Sequence, residues 1–394
     1  MVMPVLKLKP REDKRLRIGH LWIYSNEVDI AETPLKGIVP GTLMRVEDAR
    51  GKALGLATVN PNSLISGRLL TRRADASIDD AWFIRRIGRA LALREHLYDK
   101  PFYRLVHGES DGLPGLVIDR YGEVCVVQIG TAGMESLKLS IVEGLKHTLA
   151  PAGILFRNDG SVRELEGLPA YVEPVGDVPE TIEIEEGGLR FRVPLAGGQK
   201  TGWFFDQRSN RDRMTSYVAG KKVLDVFSYV GAWALRAAKA GATSVTAVDS
   251  SAPALEAAQA NAALNGLALE TLKGQAVDVL KSLRGSAQRF DVVIVDPPAL
   301  IKRRKDMEAG AEHYAQLNRL AMELLDEDGI LVSCSCSHHM SEDNLQRLLL
   351  REARNHGRNL QLLERGGAGP DHPVHPAIPE TAYLKAFFCR VFDA

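Results

Sequence analysis

Three regimes of hydrophobic patterning follow one another along the chain. Up to about residue 73, short apolar runs are separated by turns: VLKL, LWIYS, GTLMRVEDARGKALGLATV with a turn at Ala49-Arg50-Gly51, and SLISGRLLT. Runs of this length and spacing predict strands, and so a small β-rich module over residues 1–73. The next stretch, ASIDDAWFIRRIGRALALREHLY, sets Trp82, Ile84, Ile87, Leu91 and Leu93 near helical spacing and predicts a helix leading into a second module. LVIDRYGEVCVVQIG alternates on either side of a Tyr-Gly-Glu turn and reads as a hairpin, SLKLSIVEGLKHTLA as a helix, and ILFRND and TIEIEEGGLRFRVPL as further strands. That order predicts a central α+β module over residues 74–185.

From residue 186 to 394 strands and helices alternate. VLDVFS, SVTAVDS, a short run near Leu269 to Leu272, FDVVIVDPP, GILVSCSCS, LQLLE and YLKAFFCRV are strands, with helices AWALRAAKA, PALEAAQANAAL, a stretch from about Glu308 to Leu325, and SEDNLQRLLLREARNH between them. Alternation of this kind predicts an α/β, Rossmann-like domain: a mostly parallel sheet with helices on both faces. Nothing repeats at a fixed period.

The length of 394 residues fits two or three such domains. No apolar run approaches the roughly eighteen residues of a membrane span, so no membrane partner is expected. The N-terminal stretch has basic residues but no apolar core before a cleavage site, and the four cysteines, Cys125, Cys334, Cys336 and Cys389, are too few and too scattered for a disulfide framework. The expected compartment is the cytoplasm. Fifty basic and fifty acidic residues cancel. Their distribution is uneven, with Lys7, Lys9, Arg11, Lys14, Arg15 and Arg17 at the N-terminus, then Arg68, Arg72 and Arg73, then Lys302, Arg303, Arg304 and Lys305. A charge run is ordinarily a solvated face; beside catalytic motifs these become candidate phosphate contacts.

In a doubly wound sheet the ligand lies beyond the carboxyl ends of the strands, where the strand order reverses. The sequence Asp225-Val226-Phe227-Ser228-Tyr229-Val230-Gly231 follows the first strand of this region, and Gly231, opening the next helix, would let a ligand approach the backbone. The second strand ends in Val248-Asp249-Ser250, placing a carboxylate where the hydroxyls of a ribose would be held. Together they mark a nucleoside-containing cofactor. Asp278, after the third strand, is placed either to accept a hydrogen bond from an adenine amino group or to cap a helix. The fourth strand is stopped by two prolines just after Asp296, an acid suited to holding a flat, hydrogen-bonding substrate such as a base. The fifth carries Cys334 and Cys336, two apart and so on one face, with Cys336 nearer the carboxyl end. Thiol reactivity needs partial exposure in a polar setting, which favours Cys336; Cys334 and Cys389 read as small buried hydrophobes. Four ligands within six residues, Cys334, Cys336, His338 and His339, do not match zinc spacing, so no metal is expected.

These residues resemble a known family, the large-subunit ribosomal RNA cytosine-C5 methyltransferases of the RlmI type. The resemblance covers nearly the whole chain: His20-Leu21-Trp22-Ile23-Tyr24 in a PUA-like N-terminal module, Gly108 to Leu116, Gly198 to Arg208, Asp225 to Gly231, Asp296-Pro297-Pro298, Ser335-Cys336-Ser337, Asp371-His372-Pro373 and Tyr383-Leu384-Lys385. It implies S-adenosyl-L-methionine as cofactor, a cytosine of large-subunit rRNA as substrate and Cys336 as nucleophile; Asp296 is its companion by its place at the strand end, and whether the partner is naked rRNA or an assembly intermediate, and whether the protein is a homodimer, stay open. From the matched stretches it adds Gln199, Thr201, Phe204, Asp206 and Arg208 to a cofactor set otherwise made of Asp225, Ser228, Tyr229, Gly231, Asp249, Ser250, Asp278 and Asp296. The thiol has a chemical reason. Carbon 5 of a pyrimidine is a poor nucleophile until a thiolate adds at carbon 6. A guanine N-methyltransferase would use the same cofactor site without Cys336, and a non-catalytic RNA-binding assembly factor would retain the pocket alone; the intact acids speak against the latter, and the absence of GxGxxG against a dehydrogenase.

Overall fold

The computed structural model describes residues 3–195 and 201–393. The chain gathers into two compact units: Met1–Ile182 with Pro194–Phe205 and Pro370–Thr381, and Glu183–Val193 with Asp206–Gly369 and Ala382–Ala394.

The first unit holds two five-stranded sheets. One is ordered Val5–Lys7, Thr42–Glu47, Ala53–Val59, Gly67–Thr71, Trp22–Ile23, around a core of Leu6, Ile23, Val46, Ala57 and Val59. The other is ordered Tyr171–Gly176, Gly153–Asn158, Val124–Ile129, Leu116–Tyr121, Phe102–His107. The helices Asp80–Leu97 and Lys138–Leu149 belong with it, sharing a core through Phe83, Ile87, Ile141 and Leu145. Asp79 caps the first helix, accepting from the Trp82 amide. The expected hairpin forms at Leu116–Tyr121 and Val124–Ile129, with Gly122 in the left-handed conformation its turn requires. Cys125 is buried, and burial pushes its thiol pKa up to about 12. Arg94 ties the unit together: it donates to both Asp111 oxygens at 2.7 and 2.8 Å and to the Asp371 carbonyl at 2.8 Å.

The run TIEIEEGGLRFRVPL makes a two-stranded sheet of its own, Thr181–Glu186 with Leu189–Pro194, rather than extending the central layer. The cause is Glu186. Its carboxylate is buried against Arg211 at 2.6 and 2.8 Å, and this pair anchors the hairpin in the second unit.

The second unit is a seven-stranded sheet. In chain order its strands are β1 Lys222–Val226, β2 Ser244–Asp249, β3 Glu270–Lys273, β4 Phe290–Val295, β5 Leu325–Ser335, β6 Arg358–Gly366 and β7 Lys385–Asp393. Spatially they run 3-2-1-4-5-7-6, with β7 antiparallel to both neighbours and the first five parallel. β1 and β4 are near-continuous apolar runs because helices cover both faces. The order reverses between β1 and β4, so the carboxyl ends of these strands form the switch point at which ligands bind in such folds.

Candidate active site

Every sequence-selected acid of this unit except Asp206 and Asp278 lies at the carboxyl edge of the sheet. Asp225, one residue before the end of β1, is fully buried, and its Oδ2 accepts from the Ala234 amide at 3.0 Å. Its Oδ1 has no hydrogen-bond partner among the described residues. Burial, then the nearby Asp296 and Asp249 charges, raise its pKa to about 8. After it the chain makes a tight loop with Phe227, Tyr229 and Gly231 all at positive φ. The amides of Phe227 and Ser228 both reach the Val248 carbonyl, at 2.9 and 3.0 Å, so the loop is laced to the end of β2. Ser228 is buried, and its hydroxyl also lacks a partner among the described residues.

Gly231 differs from expectation. A Cβ there would meet the Ala258 Cβ at 3.1 Å, so the space beside it is taken by the helix Ala252–Leu264 and not left open to a ligand. Its φ of 84° is the second reason for glycine.

Asp249 ends β2. Its two oxygens accept from the amides of Tyr229 and Ser251, each at 2.9 Å, which fixes the carboxylate while leaving lone pairs on a partly exposed face. Ser250 beside it is exposed. Asp278 is exposed in the first turn of the helix Ala276–Gly285, two residues past its first position; Gln275 is the N-cap residue, so capping is not the role of Asp278.

Asp296 follows β4 directly. Its Oδ1 accepts from Gln207 Nε2 at 2.8 Å and its Oδ2 from Trp233 Nε1 at 3.0 Å. Gln207 is in turn oriented by Asn210, whose amide donates to it at 2.7 Å. Asp206 accepts from the Tyr383 hydroxyl at 2.6 Å, and Arg208 rests on Glu186 with Nε at 3.5 Å. Gln207 falls within the stretch Gly198 to Arg208 without a role assigned to it, and Trp233 and Asn210 carry no motif of their own.

Gln199 lies outside the described residues. Thr201 and Phe204 are part of the first unit, where the buried Thr201 hydroxyl donates to Asp119 at 2.6 Å and its carbonyl accepts from Tyr121 at 3.1 Å. The seven-stranded unit therefore does not by itself assemble them with Asp225 and Asp249.

Cys336 stands one residue beyond β5. The serines on either side of it turn to Tyr314: the Ser335 hydroxyl lies 2.9 Å and the Ser337 hydroxyl 3.0 Å from the tyrosine oxygen. Alternation then directs the thiols of Cys334 and Cys336 the other way. Cys334 is wholly buried, which pushes its pKa well above the ordinary thiol value, with Asp296 adding to the effect. Cys336 is partly exposed and its Sγ lies 3.8 Å from the Pro297 carbonyl, beside Asp296 in the chain. Across the sheet, Lys385 pairs in register with Ser335 and donates to the carbonyls of Ser337 and Tyr383 at 2.7 and 2.8 Å. It is buried, has no carboxylate partner among the described residues, and burial lowers its pKa to about 8, while the charge on Cys336 opposes that shift.

A doubly wound sheet with one antiparallel strand near its edge, carrying acids at the ends of its first, second and fourth strands and a thiol after its fifth, has the architecture of nucleoside-cofactor enzymes. The comparisons narrow this. The family described as S-adenosylmethionine-dependent methyltransferase matches residues 169–390, and the PUA-like domain matches residues 6–72. The sequence is 36% identical to ribosomal RNA large subunit methyltransferase I of Klebsiella pneumoniae over 398 residues, 99% of each chain. It is 37% identical to the protein of that name from Serratia proteamaculans over 399 residues, 99% of this chain and 100% of the relative. Among solved structures, a methyltransferase candidate complexed with SAH is similar at a TM-score of 0.84 and 22% identity, covering 98% of this chain and 100% of that one. A SAM-dependent methyltransferase candidate from Streptococcus mutans is similar at 0.83 and 21%, with the same coverage, a likeness of fold. The chain belongs to the S-adenosylmethionine-dependent methyltransferases.

Proposed function

We propose that this protein methylates carbon 5 of a cytosine in large-subunit ribosomal RNA, by way of a covalent bond between Cys336 and the base. The named relatives support the RNA, and the observation that carries the carbon-5 chemistry is the thiol of Cys336, partly exposed after β5, with the Lys385 ammonium on the Ser337 carbonyl and Asp296 directly after the neighbouring strand β4. A nitrogen methyltransferase has no use for this thiol. An rRNA substrate also assigns the work to the cytoplasm.

The residues present fit the cofactor. Asp225 Oδ1 and Ser228 Oγ are buried polar atoms without partners among the described residues, an arrangement that is costly unless a ligand completes it. Asp249 would hold ribose hydroxyls with its remaining lone pairs, and Asp225, Ser228 and Tyr229 would line the same edge. Bound there, S-adenosylmethionine supplies the methyl group. Asp296, held rigid by Gln207 and Trp233, accepts from the cytosine amino group and sets the ring plane. The Cys336 thiolate adds to carbon 6, which moves electron density to carbon 5. Once carbon 5 is methylated, its proton leaves to a base and the electron pair expels the thiolate, restoring both the ring and Cys336. The Lys385 ammonium, next to Cys336 and lacking a carboxylate, favours the ionised thiol; it is a positioning residue. The run Lys302 to Lys305, exposed after β4, would contact phosphate.

Mass mapping of large-subunit rRNA treated with the purified protein and labelled cofactor tests this. Label appearing as 5-methylcytosine at one position supports the reading; label on a guanine nitrogen replaces it.

A further inference from the structure

Half of the N-terminal basic cluster is neutralised by acids among the described residues. Lys7 pairs with Glu32, Arg15 with Glu27, and Arg17 with both Asp13 and Asp48. Arg68 is likewise committed to Glu166 at 3.0 Å, and Arg73 to Asp75 at 3.2 Å. A different group of arginines in the first unit is not neutralised. Arg72, at the end of the strand Gly67–Thr71, and Arg86 and Arg89, one turn apart on the helix Asp80–Leu97, line a groove of about 720 Å³. None of the three has a carboxylate partner among the described residues. Two acids in the groove wall are already engaged: Glu109 accepts from Trp22 Nε1 at 2.8 Å, and Asp111 is gripped by Arg94 at 2.7 and 2.8 Å.

This arrangement is held in place. Arg86 donates to the Leu70 carbonyl at 3.3 Å and lies over the Trp82 ring at 5.0 Å, while Arg72 donates to the Leu16 carbonyl at 2.6 Å. Burial, with the adjacent Arg89 charge, holds the pKa of Arg86 below the ordinary arginine value. Like charges kept together and partly desolvated are unfavourable unless an anion joins them, and guanidinium groups match phosphate oxygens two at a time.

We propose that this groove binds a backbone phosphodiester of the RNA, through Arg86 and Arg89 with Arg72 at the rim. The inference rests on RNA being the substrate and adds where the first unit grips it. The site adds a phosphate contact to those expected of the N-terminal cluster, of which Lys7, Arg15 and Arg17 are paired with acids.

The test is fluorescence anisotropy with the full-length protein and a short labelled rRNA fragment across a range of salt concentrations. Arg89→Gln and Arg86→Gln/Arg89→Gln are compared with Arg85→Gln, which removes an exposed charge from the same helix outside the groove. The double variant should bind about tenfold or more weakly, and its slope of log affinity against log salt should fall by about 0.7, the change for one single-strand phosphate no longer neutralised. Arg89→Gln, an exposed position that spares the fold, should lose about half of that slope, and Arg85→Gln should match the wild type. Equal melting temperatures exclude unfolding as the cause. Wild-type binding left unchanged by both groove variants overturns the groove alone; a wild type that binds no RNA overturns the substrate reading with it. Inorganic phosphate should displace the RNA from the wild type better than chloride at equal ionic strength, and should lose that advantage in the double variant; an equal advantage in both overturns the groove.

Discussion

Asp225 concentrates the cost of the site in one side chain. A carboxylate buried with one oxygen unpartnered is unfavourable to folding, and its pKa of about 8 against an ordinary value of 3.8 expresses this. Because the folded state holds the proton more tightly, the group's contribution is fully present below about pH 4 and is lost as the pH rises through about 8. Asp225→Asn removes that dependence. Its melting temperature in the absence of cofactor should equal or exceed the wild type at pH 8, by the equivalent of about 1–3 kcal/mol, with the advantage shrinking toward pH 4, while cofactor affinity falls. A wild type that stays the more stable at pH 8 would contradict the assignment. The same scale separates the two cysteines. The motif Ser-Cys-Ser occurs twice in overlap; alternation gives the shared strand face and position along the strand gives depth, and the structure accordingly leaves Cys334 in the core and Cys336 at the edge. Alternation does not show Lys385, which the antiparallel register of β5 and β7 sets opposite Ser335, with its ammonium on the Ser337 carbonyl just past Cys336. Lys385→Met should slow alkylation of Cys336 by iodoacetamide at neutral pH at least a few-fold, read by peptide mass, and Lys385→Arg should restore part of the rate. A purely structural lysine would leave the alkylation rate unmoved.

At the scale of elements, the strands and helices of the second unit were legible because their apolar runs are long and their ends are marked: Asp225 and Asp249 at strand ends, the two prolines after Asp296, Ser251 and Ser341 as helix caps. The elements that escaped have physical reasons. Phe102–His107 interrupts its apolar pattern with Arg104, whose guanidinium is satisfied by Asp119 at 2.8 Å. Tyr171–Gly176 is a mostly exposed edge strand containing Pro174, tolerable only at an edge. The loop between β1 and its helix was recognised by its glycine, though for a reason the structure revises. Gly231→Ala sets a methyl group 3.1 Å from Ala258 and forces a left-handed alanine. It should cost about 1–3 kcal/mol of stability and, by moving the loop that carries Ser228 and Tyr229, weaken cofactor binding. Calorimetry showing both unchanged would mean that the loop tolerates the change without moving.

For the whole molecule, net neutrality conceals where charge is available. The runs most visible in the sequence are in part committed to intramolecular ion pairs, while the groove arginines are divided between a strand end and a helix and form no run. Exposed basic residues count toward RNA binding only when no acid folds against them, and sequence proximity does not show which those are. The catalytic claim is likewise a property of the assembled molecule, since it needs a base delivered to a thiol supported from three strands. It is tested most directly with rRNA carrying 5-fluorocytosine at the target position. The fluorine cannot leave as the proton does, so the adduct persists. Wild type and Cys334→Ala should give a covalent protein–RNA complex in the presence of cofactor, with the linked peptide containing Cys336, and Cys336→Ala should give none while still binding cofactor. An adduct that survives in Cys336→Ala, or methylation of ordinary RNA that continues in it, would contradict the account.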